Sequence, residues 1–236
     1  MKPNEIIKCL RDNLPSVGAG RKLRSFPKDR VMAKGFFPGG NGLYGTRSPI
    51  GGTLILGSNF GRYDDFVDAQ GELVRLDETT TSRTWGGLLT SLAKSGIDAK
   101  QCFFTNAWPF LHDGTSNRGP VGAWLRDQQL MDSCVRFFEC TFTAMQPRLI
   151  VALGTGPAAF LSNVWPTDLT SWGRRPRRIQ NLDDLPMATV NFQGRTAVCV
   201  AITHPSMPNA RHRRPLYRGF EGEVRLLAKA RLKSER

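Results

Sequence analysis

The sequence predicts an α/β protein: a three-layer α/β/α sandwich with a central four-stranded, mainly parallel sheet. Short apolar runs recur at 53–56, 102–108, 148–154 and 195–204, with helix-patterned segments between them. The runs are apolar at consecutive positions, as in strands of a parallel sheet covered by helices on both faces. Size is the third observation, because 236 residues at 40% hydrophobic and 22% charged suffice for one well-buried domain. We therefore expect one domain over residues 1–236, with residues 1–50 as a loop-rich N-terminal extension.

Residues 1–50 show little periodicity, and the glycine- and proline-rich stretch 35–52 reads as ordered loop. The first strand, Thr53–Leu56, runs into the turn Gly57-Ser58-Asn59-Phe60-Gly61. A helix is predicted near Thr84–Ser95, with Gly96 just past its end. CFFTNAW (102–108) is the second strand. The next helix places Leu130, Cys134, Phe138, Phe142 and Met145 on one face, and Pro147 stops it. RLIVALG (148–154) is the third strand, followed by a short helix with Pro157 in its first turn. RTAVCVAITH (195–204) is the fourth strand. A final helix is predicted from Pro215, with Leu216, Phe220, Val224 and Leu227 on one face.

The net charge of +13 is clustered, in GRRPRR (173–178), ARHRR (210–214), the stretch from Arg21 to Lys34 and the tail AKARLKSER. Clustered cations favour a polyanionic partner, nucleic acid above all, over solubility alone. No apolar run approaches the roughly 20 residues of a membrane span. The N-terminus, short and mixed in charge, is unlike a secretory leader, so a cytoplasmic location is expected. Five cysteines without C-x-x-C spacing argue against a disulfide framework and against a zinc or iron–sulfur cage.

Ligands of parallel sheets bind at the carboxyl ends of the strands, here GSNFG, TNAW, GTG and HPS. Asn59, boxed by glycines, is a plain turn residue or a point of close approach to a ligand. Asn106 offers a donor and an acceptor to a planar amide-like group, or simply forms a turn. Gly154-Thr155-Gly156 lacks the third glycine of a dinucleotide fingerprint, since Ala159 stands there. Its helix-opening N–H groups still suit a phosphate. His204 closes the last strand as a structural or a catalytic histidine.

Taken together, LGSNFG, FFTNAW, IVALGTGPAAF and AITHPSMPNARHRR resemble the uracil-DNA glycosylase superfamily over roughly residues 50–230, in the family's order. The resemblance implies excision of uracil or a related damaged base from DNA by hydrolysis, without cofactor or metal, by a monomer. It implies that Asn59 orients the attacking water and that His204 donates a hydrogen bond to the base oxygen. Asn106 would read the flipped base, with Gly57 and Gly61 lining its site. Phe60, Phe66 and Trp85 are candidates for an aromatic floor, each with core packing as the alternative. Ser58, Ser206 and the N–H groups near Thr155 would grip phosphates. Met207 would fill the vacated stack, with Arg211, Arg213 and Arg214 on the backbone.

The chain departs from the family pattern at several of these positions. Phe60 stands where the family usually has proline, and Asn59 where its most active members have aspartate. Gly61 replaces a tyrosine that, in uracil-restricted members, blocks a 5-methyl group. Met207-Pro208 replaces the usual wedge. Asp64 and Asp65 are second-tier acidic candidates. A rival reading from these departures is a nucleic-acid-binding member of weak or no activity. A phosphate-ester enzyme on a doubly wound sheet is a third reading, disfavoured by the lack of a metal-binding carboxylate cluster.

Overall fold

The computed structural model describes residues 3–15, 23–25, 50–65, 83–113, 121–173 and 179–236. In chain order the elements are α1 (Pro3–Asn13), β1 (Leu23–Ser25), β2 (Thr53–Asn59), α2 (Arg83–Lys94), β3 (Cys102–Trp108), β4 (Phe110–His112) and α3 (Val121–Trp124). They continue as α4 (Gln128–Met145), β5 (Leu149–Leu153), α5 (Thr155–Val164), α6 (Thr170–Gly173), β6 (Met187–Phe192), β7 (Arg195–Ile202) and α7 (Gly219–Ser234). The main sheet has the order β3-β2-β5-β7-β6, and β1 pairs with β4 in a small antiparallel sheet of its own.

The four expected strands are all present and mutually parallel. Alternation along them sorts the apolar side chains onto two faces. Leu54, Leu56, Ile150, Ala152, Cys199 and Ala201 share one cluster with Leu10, Leu14 and the aromatic face of α4. Ile55, Phe104, Val151, Leu153, Val200 and Ile202 share the other with Trp85, Leu88 and Leu92 of α2 and Leu226, Leu227 and Ala230 of α7. Each such aliphatic side chain gains about 1.5–3 kcal/mol on burial, which favours covering both faces over leaving either wet.

Local signals set the ends of α4. Asp127 accepts from the Leu130 N–H at 3.0 Å, capping the start. Gln146, at φ 47°, turns the chain out just before Pro147. Leu130, Cys134, Phe138, Phe142 and Met145 are all buried, as the period predicts.

Four features differ from the sequence expectations. The sheet has a fifth strand, β6, antiparallel to β7. A two-residue turn joins them, with Gln193 at φ 49° and Gly194 at φ 76°. β6 buries only Ala188 and Val190, too short an alternation to stand out. Residues 3–13 are helical rather than loop, and Leu10 and Leu14 anchor this helix in the core. Cys9 and Cys140 form a disulfide between α1 and α4, whose cysteines lie far apart in sequence. The last helix starts at Gly219, not Pro215, leaving Leu216 64% exposed. Of the 35–52 loop, residues 35–49 lie outside the described residues. Among the described residues no helix is long and apolar enough to cross a membrane.

Candidate active site at the strand ends

Because β3, β2, β5 and β7 run parallel, their carboxyl ends form one edge. Asn106 on β3 stands opposite Gly57 on β2, and Asn59 opposite Trp108. His204 lies just past the end of β7, which pairs with β5 through Leu153 and Ile202. With β5 between them, β2 and β7 are separated by about 10 Å, two strand spacings.

The turn from β5 into α5 floors that gap with backbone. Gly154 has φ 91°, and its N–H donates to the Ile202 carbonyl at 2.7 Å. A Cβ on Gly154 would come within 3.3 Å of His204 Cβ. A Cβ on Gly156 would meet the Val121 side chain at 3.4 Å and Ser58 Oγ at 3.6 Å. The two glycines therefore let one turn press against His204 on one side and Ser58 on the other. Thr155, half-buried, opens the first turn of α5, where Gly154 provides no side-chain cap.

Asn59 is half-buried, and its Nδ2 is shielded from solvent with no hydrogen-bond partner among the described residues. Asn106 is 2% exposed. A buried amide group without a partner costs about 1–3 kcal/mol, so an orphan donor at a strand end is suited to a ligand.

His204 is held by the turn that follows it. Its carbonyl accepts from the Met207 N–H at 2.8 Å, and Pro205 is buried with its Cβ 3.6 Å from where a Cβ on Gly87 of α2 would lie. The Ser206 N–H donates to Nδ1 at 3.3 Å, and Ser206 Oγ lies 2.7 Å from the same nitrogen. Nδ1 is thus an acceptor, and in the neutral ring the proton resides on Nε2. The turn presents a histidine with a defined donor nitrogen.

The remaining candidates divide. Ser206, Met207 and Arg213 are exposed. Phe60 is buried in the cluster with Trp108, and Trp85 is wholly buried with its ring 4.9 Å from that of Phe104. Both are packed as core. Phe66 lies outside the described residues. Gly61 has φ 108° and its carbonyl accepts from the His112 N–H at 3.1 Å, so conformation alone explains a glycine there. Asp64 is exposed and paired with Arg62 at 2.8 Å.

Arg211 and Arg214, expected on DNA phosphates, are corrected to interior residues. Arg214 is 0% exposed and bonded to Asp183, and Arg211 is 7% exposed beside Glu223. A guanidinium held inside the protein cannot reach a phosphate backbone.

The profile described as Uracil DNA glycosylase superfamily matches residues 66–227. The chain belongs to that superfamily. No curated protein matches it. The superfamily match includes the Asn106, Gly154 and His204 strand ends but starts beyond β2, so the Gly57–Gly61 turn is joined to it by sheet pairing rather than by the match.

Sequence reasoning did not single out the buried acids Asp183 and Glu223, whose only signal is a charge amid apolar helical or turn residues. Burial pushes the Glu223 carboxyl above its ordinary range, partly offset by Thr203 and by Arg211 and Arg214. Also missed was His112, 2% exposed and packed on Trp124, whose Nε2 has no partner among the described residues.

Proposed function

We propose that this superfamily member hydrolyses the N-glycosidic bond of uracil, or a related damaged base, in DNA. The observation that carries the proposal is the His204 turn, in which Ser206 holds the ring through Nδ1 and so leaves Nε2 available to the substrate. The target base must leave the stack, since its glycosidic bond is unreachable inside a duplex. Asn106 would pair with the base through its amide, donating to one carbonyl and accepting from the ring N–H. As the bond breaks, its electron pair moves onto the base and negative charge grows on a carbonyl oxygen. His204 Nε2–H would stabilise that charge. Asn59 would orient the water that attacks the sugar carbon. An amide cannot take the water's proton, so turnover should be slow relative to a carboxylate at that position.

Ser58, Ser206 and the first-turn N–H groups at Thr155 would hold the flanking phosphates. Met207, 38% exposed, would occupy the vacated stack, with Arg213 beside it on the backbone. The glycine at 61 supplies no side chain against a 5-substituent, so 5-substituted uracils should be accepted. A methyl group is worth only about 1–3 kcal/mol in such discrimination. The protein is proposed to act as a cofactor-free monomer in base excision repair.

A second reading, binding without turnover, is favoured by the neutral amide of Asn59. A uracil-containing single-stranded oligonucleotide separates the two. Alkali-labile breaks that grow with time support excision, whereas retention of the strand without breaks supports the binding protein.

A further inference from the structure

Four charged side chains lie buried behind the His204 turn, and no step above uses them: Asp183, Arg211, Arg214 and Glu223. Arg214 donates from Nε to Asp183 at 2.8 Å and from NH1 to the Ala201 carbonyl at 2.9 Å. Glu223 Oε1 accepts from the Thr203 N–H at 2.6 Å and lies 3.8 Å from Arg214. Its Oε2 is 2.8 Å from Arg211 Nε, an ion pair whose alignment falls short of a hydrogen bond. Asp183 also accepts from the Leu216 N–H at 3.0 Å. Two cations and two anions leave the group neutral.

The backbone explains where this group acts. The Ile202 carbonyl faces β5 and is taken by Gly154. Ala201 and Thr203, its neighbours, therefore face the other side, toward β6. But β6 reaches only to Met187, opposite Val200. Beyond that point no strand can satisfy Ala201 and Thr203, and Arg214 and Glu223 do so instead. The side chains continue the sheet edge for the last residues before His204. Stability alone is a weak reason for this choice, because buried ion pairs often contribute no more than well-packed apolar residues.

We propose that the Asp183–Arg214–Glu223–Arg211 group is a positioning device for His204, with Glu223 acting through the Thr203 N–H. The proposal rests on the glycosylase reading for its kinetic consequences, but its geometric content is independent of it. Small misplacements of a catalytic group cost up to about 10²-fold in rate. Glu223→Ala, which removes the acceptor, is expected to slow single-turnover excision by about 10-fold or more while oligonucleotide affinity stays within about twofold. Glu223→Gln keeps an acceptor for Thr203 and should restore a large part of the loss. In a His204→Ala background, Glu223→Ala should cost nothing further.

The second readout needs no activity: the ring-nitrogen NMR signals of His204. In the wild type they should report Nδ1 as the accepting nitrogen, and in Glu223→Ala a changed balance between the two ring nitrogens. Should Glu223→Ala fail to fold, the paired replacement Glu223→Leu with Arg211→Leu removes the acceptor and both charges together and is measured in the same two ways. Unchanged His204 signals in a folded variant that lacks the acceptor at 223 would overturn the proposal. So would an excision loss that adds in full to that of His204→Ala. A wild-type protein that excises nothing, yet shows the shift of His204 signals, would defeat the glycosylase reading while leaving the positioning role supported.

Discussion

At the scale of single residues, the account turns on an amide standing where a carboxylate would do more. Asn59 can orient water but cannot accept its proton, and general-base assistance is worth about 10²–10⁴-fold. Asn59→Asp should therefore raise the single-turnover excision rate by about tenfold or more, with a new rate dependence on a carboxylate-range pKa. A rate unchanged or lowered in a folded Asn59→Asp protein would count against water orientation by this residue. Asn59, Asn106 and His204 stand out in the sequence because each is a polar residue that interrupts or follows an apolar run, and the parallel sheet places all three toward its carboxyl edge. Arg211 and Arg214 were misread because a run of arginines looks the same whether it is solvated or turned inward. Only the buried partners Asp183 and Glu223, which the arginine run itself does not reveal, decide the matter.

At the scale of elements, continuous apolar runs and helical periods located the four parallel strands, the helix α2 and the buried face of α4. The strand β6 escaped because it buries only Ala188 and Val190 on one face, and α1 because a short amphipathic helix carries few apolar positions. The β5–α5 turn is the element on which the site depends most. Gly154→Ala must adopt a positive φ, costing about 1–2 kcal/mol, and its Cβ would press on His204. We expect a lower denaturant midpoint and roughly tenfold slower excision, the second effect exceeding that of an equally destabilising substitution elsewhere.

The interior of the strands and α4 makes a separate prediction. Burial raises the thiols of Cys102 and Cys134 from 9.0 to about 12, and raises Cys199 as well. With folded values above unfolded ones, their contribution to stability is complete below pH 9.0 and is lost as pH rises toward about 12. At pH 8 an alkylating reagent should therefore leave all three unmodified in the native protein and label them on unfolding. Mass spectrometry showing rapid native labelling of any of them would contradict the packing described.

At the scale of the whole molecule, the net charge of +13 directs the chain toward a polyanion, but the structure distinguishes cations that can reach one from cations that cannot. Arg213 is exposed and Arg214 is fully buried. Affinity for single-stranded DNA should fall with salt at a log–log slope of roughly −0.7 per phosphate neutralised. Arg213→Gln should flatten this slope without changing the unfolding midpoint. Arg214→Gln leaves Asp183 buried and unpaired, a loss of about 3–5 kcal/mol, and should act through the unfolding midpoint rather than the slope. The reverse pattern would place the 208–214 turn differently from the structure.

The central claim is that Asn59 and His204, about two strand spacings apart across β5, act on one glycosidic bond. Single-turnover excision of uracil from a single-stranded oligonucleotide, followed as alkali-labile breaks, tests it most directly. The wild type should produce breaks, and Asn59→Ala and His204→Ala should each slow them by about 10²-fold or more with oligonucleotide affinity nearly unchanged. Near-normal excision by either folded variant would contradict the account.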